Sequence, residues 1–139
     1  MNKIICALFL LKTVVAFGQG EVKTCRAMLD TLTGLSVHRS ATEMAGYPGG
    51  IEAMLKQIQK KVYVAKVHGT SGGFKVFVAF IVQSDGTVVG QRVIRNVPGT
   101  NLAEQFLDII DDVCWEPGTC HGKVVATLEI LPMEMKTGW

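Results

Sequence analysis

The fold is decided by one stretch, GFKVFVAFIV at residues 73–82, which is followed by SDGT at 84–87 and VVGQRVIR at 88–95. Residues 74–82 are rich in β-branched and aromatic side chains, and both alternating faces of the segment are largely apolar. That pattern predicts a central strand rather than an edge strand. The intervening SDGT is a tight-turn signal, so residues 88–95 are expected to return as the second strand of a hairpin.

Two amphipathic helices are predicted on either side of this hairpin. Behind the breaker sequence YPGG at 47–50, apolar residues recur at helical spacing; they are Ile51, Met54, Leu55, Ile58 and Val62. The second helix is expected to begin after Asn101, a capping residue with Glu104 three positions later. Its apolar stripe consists of Leu102, Phe106, Ile109, Ile110 and Val113. Alternating apolar residues then predict a third strand at 123–131.

The order helix, strand, strand, helix, strand predicts an α+β fold with two layers. The third strand is expected to return beside the first. The result is a three-stranded antiparallel sheet of order 2-1-3 with both helices on one face, in which the third strand lies at an edge. Residues 19–46 show weak periodicity, with at most a helical turn or two at 26–32, and form an N-terminal extension of uncertain structure. The main domain spans residues 47–133, and residues 134–139 are a tail.

The first 18 residues are predicted to be a signal peptide. A short positive start, Met1-Asn2-Lys3, precedes an apolar run, and Ala16-Phe17-Gly18 has the small-x-small pattern of a cleavage site. The apolar stretch is about 15 residues long and contains Lys12, whereas a membrane span needs about 20. The sequence therefore predicts an exported protein in an oxidising compartment.

Charge and motif content argue against two large functional classes. Lys3 and Lys12 lie in the leader and all 12 acidic residues follow it, so the remaining chain has no net charge. Nucleic-acid binding needs a concentrated basic excess, and none is expected here. Asp108, Asp111 and Asp112 fit a solvated helix face. The sequence shows no assembled nucleophile, base and oxyanion donor, so we predict no enzyme, no cofactor and no metal site.

Three cysteines follow the leader, namely Cys25, Cys114 and Cys120, and they allow one disulfide in three possible pairings. A Cys114–Cys120 bridge would close the short loop WEPGT and leave Cys25 unpaired. Two free thiols at Cys114 and Cys120 are the other expectation. A redox or metal protein that uses Cys114, Cys120 and His121 is kept as an alternative function, although the spacing is not that of a C-x-x-C motif.

Several motifs in their order and spacing resemble the C-terminal domain of TonB. They are GFKVFVAFIV at 73–82, DGTV at 85–88, VIR at 93–95, WEPG at 115–118 and GKVV at 122–125. The YPGG sequence and the helix behind it are similar to the extension that many TonB-like proteins carry ahead of this domain. The resemblance covers about residues 47–133. It implies two helices packed against a three-stranded sheet.

The resemblance also implies a periplasmic protein of the Gram-negative envelope that supports energy-dependent transport across the outer membrane. Family members pair their last sheet strand with a short segment, the TonB box, of an outer-membrane TonB-dependent transporter. On this chain the implied partner-binding residues are Lys123, Val124, Val125, Ala126, Thr127, Leu128, Glu129, Ile130 and Leu131. A full energy transducer, with an uncleaved N-terminal anchor in the inner membrane, is the alternative within the same family.

The predicted third strand is poorly defended as a sheet edge. Between residues 124 and 131 Glu129 is the one charged residue, and the first proline is Pro132. Exposed edges are usually blunted by charge, proline or a bulge, so a bare edge is expected where another chain pairs with it. The same edge predicts a possible edge-paired homodimer. A proline at an outward N–H, at Thr127 or Val125, is expected to abolish pairing.

Overall fold

The computed structural model describes residues 25–63 and 73–135. Its strands are β1 (Arg26–Leu29), β2 (Ser36–Ser40), β3 (Phe74–Val82), β4 (Val88–Arg95), β5 (Gly118–Cys120), β6 (Lys123–Val125) and β7 (Thr127–Met135). Its helices are α1 (Gly50–Lys61) and α2 (Leu102–Asp111). The predicted α+β class is confirmed. The predicted signal peptide at residues 1–18 lies outside the described residues.

The prediction of a three-stranded sheet is wrong, because the described residues form a five-stranded mixed sheet and a separate two-stranded hairpin. The large sheet has the order β1-β2-β7-β3-β4, and β5 pairs with β6. Within it, β3 is antiparallel to both β4 and β7, so the predicted order 2-1-3 is present as β4-β3-β7. The extra strands come from the N-terminal segment, where β2 runs parallel to β7.

The N-terminal segment forms a β-hairpin, and the helical turn or two expected at residues 26–32 is absent from it. Strands β1 and β2 pair antiparallel, and the chain turns between them at Asp30. The Asp30 carboxylate accepts hydrogen bonds from the Thr33 amide at 3.0 Å and the Thr33 hydroxyl at 2.7 Å. Side chains of this kind stabilise turns by bonding to the backbone a few residues on. The hairpin is therefore stabilised by local turn hydrogen bonds, which an analysis of hydrophobic periodicity does not detect.

The predicted third strand is divided between two elements. Residues 123–125 form β6, which pairs with β5, and only from Thr127 does the chain join the large sheet as β7. The two-residue turn between β5 and β6 has φ of 49° at His121 and 79° at Gly122. Positive φ at both central residues is characteristic of tight hairpin turns. This turn fixes the short β5–β6 hairpin and separates it from β7.

The main core lies between the helices and one face of the sheet, and Ala79 and Ile81 on the opposite face of β3 are buried as well. Side chains from β3, including Val78 and Phe80, pack against α2 residues such as Phe106. Trp115 closes this core from the segment behind α2, with its ring centroid 4.9 Å from that of Phe80. The Trp115 indole N–H donates to the Ile110 carbonyl at 2.9 Å. The indole is thus both buried and satisfied, as an aromatic residue with a polar atom requires.

The predicted apolar stripe is buried on α2 but only partly buried on α1. The α2 residues Leu102, Phe106, Ile109 and Ile110 are all buried. On α1, Met54 and Ile58 are buried, but Ile51 and Leu55 remain 65% and 47% exposed. Val62, the C-cap residue, packs against the core as predicted, and Ala53, which is outside the predicted stripe, packs there too. The buried face of α1 is therefore narrower than its apolar stripe, and it is rotated away from Ile51 and Leu55.

Helix α2 begins after Asn101 as predicted, but the predicted side-chain cap is not formed. The Asn101 side chain makes no capping hydrogen bond to the helix backbone. Asn96 takes that role, because its Oδ1 accepts from the Ala103 amide at 3.3 Å and its Nδ2 donates to Glu104 at 3.3 Å. A cap supplied from five residues further upstream satisfies the same exposed amide groups.

The DGT turn and the WEPG segment, two of the motifs that carry the resemblance, meet in space. The Trp115 amide donates to the Gly86 carbonyl at 3.0 Å. Gly86 has φ of 84°, and a Cβ at this position would collide with the Trp115 carbonyl oxygen. Only glycine combines this backbone conformation with so close an approach. The two motifs are therefore one packing unit, which positions the end of α2 against the β3–β4 turn.

Candidate binding edge

The alternation of backbone groups along β7 identifies which of them point away from β3. Pro132 has no N–H to donate, and the Ala126 carbonyl accepts from the His38 amide of β2 at 2.9 Å. Both residues are therefore on the side of the strand that faces away from β3. Because hydrogen-bonding direction alternates along an antiparallel pair, Leu128, Ile130 and Pro132 point their backbone groups outward. Thr127, Glu129 and Leu131 point theirs at β3.

The upstream part of this outer edge is already occupied by the chain itself. The parallel bridge between His38 and Thr127 places β2 alongside the start of β7. Downstream of that bridge the N-terminal segment leaves β7 and pairs instead with the β5 region, through bridges of Glu43 to Thr119 and Gly46 to Glu116. Within residues 25–63 and 73–135, no strand therefore pairs with the outer edge of β7 beyond Leu128. The predicted edge is open over its downstream half alone.

The nine predicted partner-binding residues are distributed over three environments. Lys123, Val124 and Val125 belong to β6 and pair with β5, away from the edge of the large sheet. Ala126, Thr127 and Leu128 lie where β2 covers the strand. Glu129, Ile130 and Leu131 lie beyond it, and the Ile130 side chain is 42% exposed. The structure thus brings the open backbone groups together around Ile130, and it continues the strand past the predicted end to Met135.

Glu129 does not defend the edge as a surface charge. Its side chain lies on the helix side of the sheet with that of Phe80, its partner on β3. Its Oε1 accepts from the Ala45 amide at 3.2 Å and from the Thr127 hydroxyl at 3.1 Å. Burial raises the pKa of Glu129, and these two hydrogen bonds partly offset that effect. The carboxylate therefore holds the segment between β2 and α1 against β7.

The predicted Cys114–Cys120 disulfide with an unpaired Cys25 is wrong, and so is the alternative expectation of a free thiol at Cys120. Cys120, at the end of β5, is bonded to Cys25, immediately ahead of β1, with the two Cα atoms 6.0 Å apart. That Cα separation is ordinary for a disulfide. Cys114 takes no part in this bond. The pairing of β2 with β7 brings Cys25 close to the β5–β6 hairpin, and sequence spacing carries no information about that proximity.

Further contacts attach the N-terminal hairpin to the rest of the domain. The His121 amide donates to the Thr42 hydroxyl at 3.1 Å. At the other end of the hairpin, Arg92 of β4 forms a two-pronged ion pair with Asp30, at 2.7 and 3.3 Å. The Asp30 side chain is 5% exposed and that of Arg92 28%. A bidentate pair in this setting restrains geometry more than an exposed pair does. The hairpin is thus held at both ends.

The Asp30–Arg92 pair is expected to make stability depend on acid pH. Hydrogen bonds from Arg92, and then from Thr33, hold the pKa of Asp30 well below its usual range. The stabilisation is therefore complete above the unfolded-state pKa of about 4 and is lost as pH falls below it. In urea unfolding, the stability difference between wild type and Asp30→Asn should be largest near neutral pH and should shrink below about pH 4.

This comparison cancels the opposite contribution of Glu129, whose raised pKa favours the folded state as pH falls, because that residue is the same in both proteins. A stability difference between wild type and Asp30→Asn that stays constant from neutral to acid pH would contradict the role of the pair.

The acidic helix face that the sequence suggested is at the surface. Asp108, Asp111 and Asp112 line a shallow cleft together with Lys61. The ammonium group of Lys61 is 3.1 Å from Asp112, and Gln91 donates to Asp111 at 2.8 Å. Among the described residues, no group of three or more His, Cys, Asp or Glu side chains is placed to hold a metal ion. Cys120, one member of the alternative redox or metal set, is in the disulfide with Cys25.

The chain matches no protein-family model and no curated protein. Of the helices in the described part of the chain, neither is long and apolar enough to cross a membrane.

Proposed function

We propose that this chain is an exported TonB-like binding module that pairs the open part of its β7 edge with an extended segment of an outer-membrane transporter. The observation that carries the proposal is the run α1, β3, β4, α2, β7 with the sheet order β4-β3-β7. Two helices against three strands in that order are what the resemblance to the TonB C-terminal domain implies. The contact between the DGT and WEPG motifs adds to this support.

The disulfide supports the exported location within the proposal. Cys25 and Cys120 form a bond that persists in oxidising compartments such as the periplasm and is rare in the cytosol. The proposed signal peptide delivers the chain to such a compartment. A transporter segment on the periplasmic side of the outer membrane is accessible to a protein there.

The geometry of β7 limits how a partner segment would pair. The outward N–H and C=O of Ile130 are available, and Pro132 contributes a carbonyl but no N–H. A partner strand therefore gains a few main-chain hydrogen bonds centred on Ile130, and the exposed side chains of Ile130 and Pro132 lie beside it. Strand addition of this kind draws affinity from main-chain bonds and specificity from alternate side chains.

The decisive experiment compares two neighbouring proline substitutions. Ile130→Pro removes an outward N–H and leaves the bonds to β3 intact, so the variant should fold and lose partner binding about tenfold or more. Leu131→Pro removes an N–H that faces β3, so it should disrupt the sheet. Ile130→Ala is the matched side-chain control, and it should retain most binding.

The measurement is quantitative mass spectrometry of outer-membrane transporters that co-purify with each variant from envelopes, after circular dichroism has established folding. Thr127→Pro and Val125→Pro do not serve this purpose, because Thr127 faces β3 and Val125 pairs with Gly118. If a folded Ile130→Pro variant retains the transporter as wild type does, the edge is not the binding site.

A further inference from the structure

The least defended edge of the large sheet is β1 rather than β7 or β4. All four residues of β1 are exposed, and Arg26 is the one charged side chain among them. The β4 edge is interrupted by two register shifts, and the β7 edge is covered by β2 and then reaches Pro132. Bulges and proline are the usual protections of an edge strand, and β1 has its one irregularity at its first residue.

The register of the hairpin shows which groups of β1 are unpaired. The Asp30 amide donates to the Leu35 carbonyl at 2.8 Å, so Asp30 faces β2. Hydrogen-bonding direction alternates from there, so Met28 also faces β2 while Leu29 and Ala27 face away. The His38 bond to β7 agrees with this, because His38 is opposite Ala27 and points away from β1. In the described part of the chain, the outward N–H and C=O groups of Ala27 and Leu29 have no strand beside them.

We propose that β1 pairs with β1 of a second copy of this chain, antiparallel about a two-fold axis at Met28. In that register Ala27 of each copy is opposite Leu29 of the other, and each such pair exchanges two main-chain hydrogen bonds. Four bonds form, and every outward group of the two residues is satisfied. The two strands match in this register because the two open residues, Ala27 and Leu29, lie one residue on either side of Met28.

The side chains fit the same register. Met28 and Leu29 are 41% and 63% exposed, a large exposure for residues of this type on a short edge strand. Met28 of one copy packs against Met28 of the other, at the position where side chains of an antiparallel pair come closest. Small Ala27 is opposite large Leu29, and Arg26 is opposite Asp30, whose carboxylate is already paired with Arg92, so no like charges meet along the pairing.

The pairing yields a closed dimer, because a two-fold contact uses the same surface on both copies. An interface built on a four-residue strand is small, so the dimer depends on protein concentration. It leaves the outer edge of β7 unused, and it does not depend on the transporter interaction.

Two variants of the full exported chain test the dimer. Leu29→Pro removes one outward N–H from each copy without disturbing the bonds of Met28 and Asp30 to β2. Sedimentation velocity should show wild type moving from monomer to dimer as concentration rises, with the dimer of Leu29→Pro about thirtyfold weaker. Met28→Cys should form an intermolecular disulfide under mild oxidation, because the axis places the two cysteines together.

The control for the cross-link is Ile94→Cys, an exposed position on the opposite edge strand β4. The dimer is overturned if wild type stays monomeric at high micromolar concentration, or if folded Leu29→Pro dimerises as wild type does. It is equally overturned if Met28→Cys cross-links no faster than Ile94→Cys, a result that decides the matter even where Leu29→Pro fails to fold.

Discussion

Replacing Cys25 with serine is expected to lower the free energy of unfolding by about 4 to 5 kcal/mol. The disulfide joins residues 95 positions apart, so it removes much of the conformational freedom of the unfolded chain. It also holds the start of β1 at the end of β5, where the other nearby contacts are single hydrogen bonds. Urea unfolding of the oxidised protein, followed by circular dichroism, measures the loss.

The companion variants for this prediction are Cys120→Ser and the double variant. Because either substitution removes the same bond, all three proteins should show nearly equal stability. Losses that add in the double variant would mean that the two sulfur atoms act separately, and an unchanged Cys25→Ser would mean that the N-terminal hairpin is held by its non-covalent contacts alone.

Truncation of Phe80 to alanine is expected to cost about 3 to 5 kcal/mol of stability. Its side chain is fully buried on the helix side of β3 and contacts the ring of Trp115. Removing the ring leaves a cavity beneath Trp115 that rigid neighbouring strands cannot close. Urea unfolding midpoints, at an unchanged slope, give the magnitude.

Phe77→Ala is the matched control, since Phe77 is the same residue type on the same strand but faces the other side of the sheet and is half-buried. The free energy of unfolding should fall by about 1 to 2 kcal/mol, because folding removes less of the Phe77 side chain's apolar surface from water. Equal losses for the two variants would contradict the assignment of the main core to the helix side of β3.

Much of the central fold could be predicted from local pattern. Alternation over residues 74–82 indicated a central strand, and that strand is the middle of β4-β3-β7. The α2 stripe was predicted correctly because its spacing reports burial on a single face. The α1 stripe was only half correct, since an apolar residue such as Ile51 can remain exposed when its helix packs by a narrower face.

The candidate site was predicted less well, because it depends on which strands become neighbours. Residues 124–131 do contain a single charged residue and no proline, as the sequence shows. In the structure the first of these residues form β6, the next are covered by β2, and the open groups centre on Ile130. Local indications of the hairpin that covers the edge were available in its turn, where Asp30 bonds to Thr33 and Gly34 has positive φ.

Sequence by itself determined the α+β class, the two helices and the central hairpin, because each follows from periodicity and turn chemistry within a short window. Tertiary structure alone decided the partner of Cys120, the five-stranded sheet and the part of β7 that remains open. These depend on contacts between residues far apart in the chain, such as His38 with Ala126 and Cys25 with Cys120. These contacts form only when distant segments pair and the long loops between them close, and no local sequence pattern carries information about that.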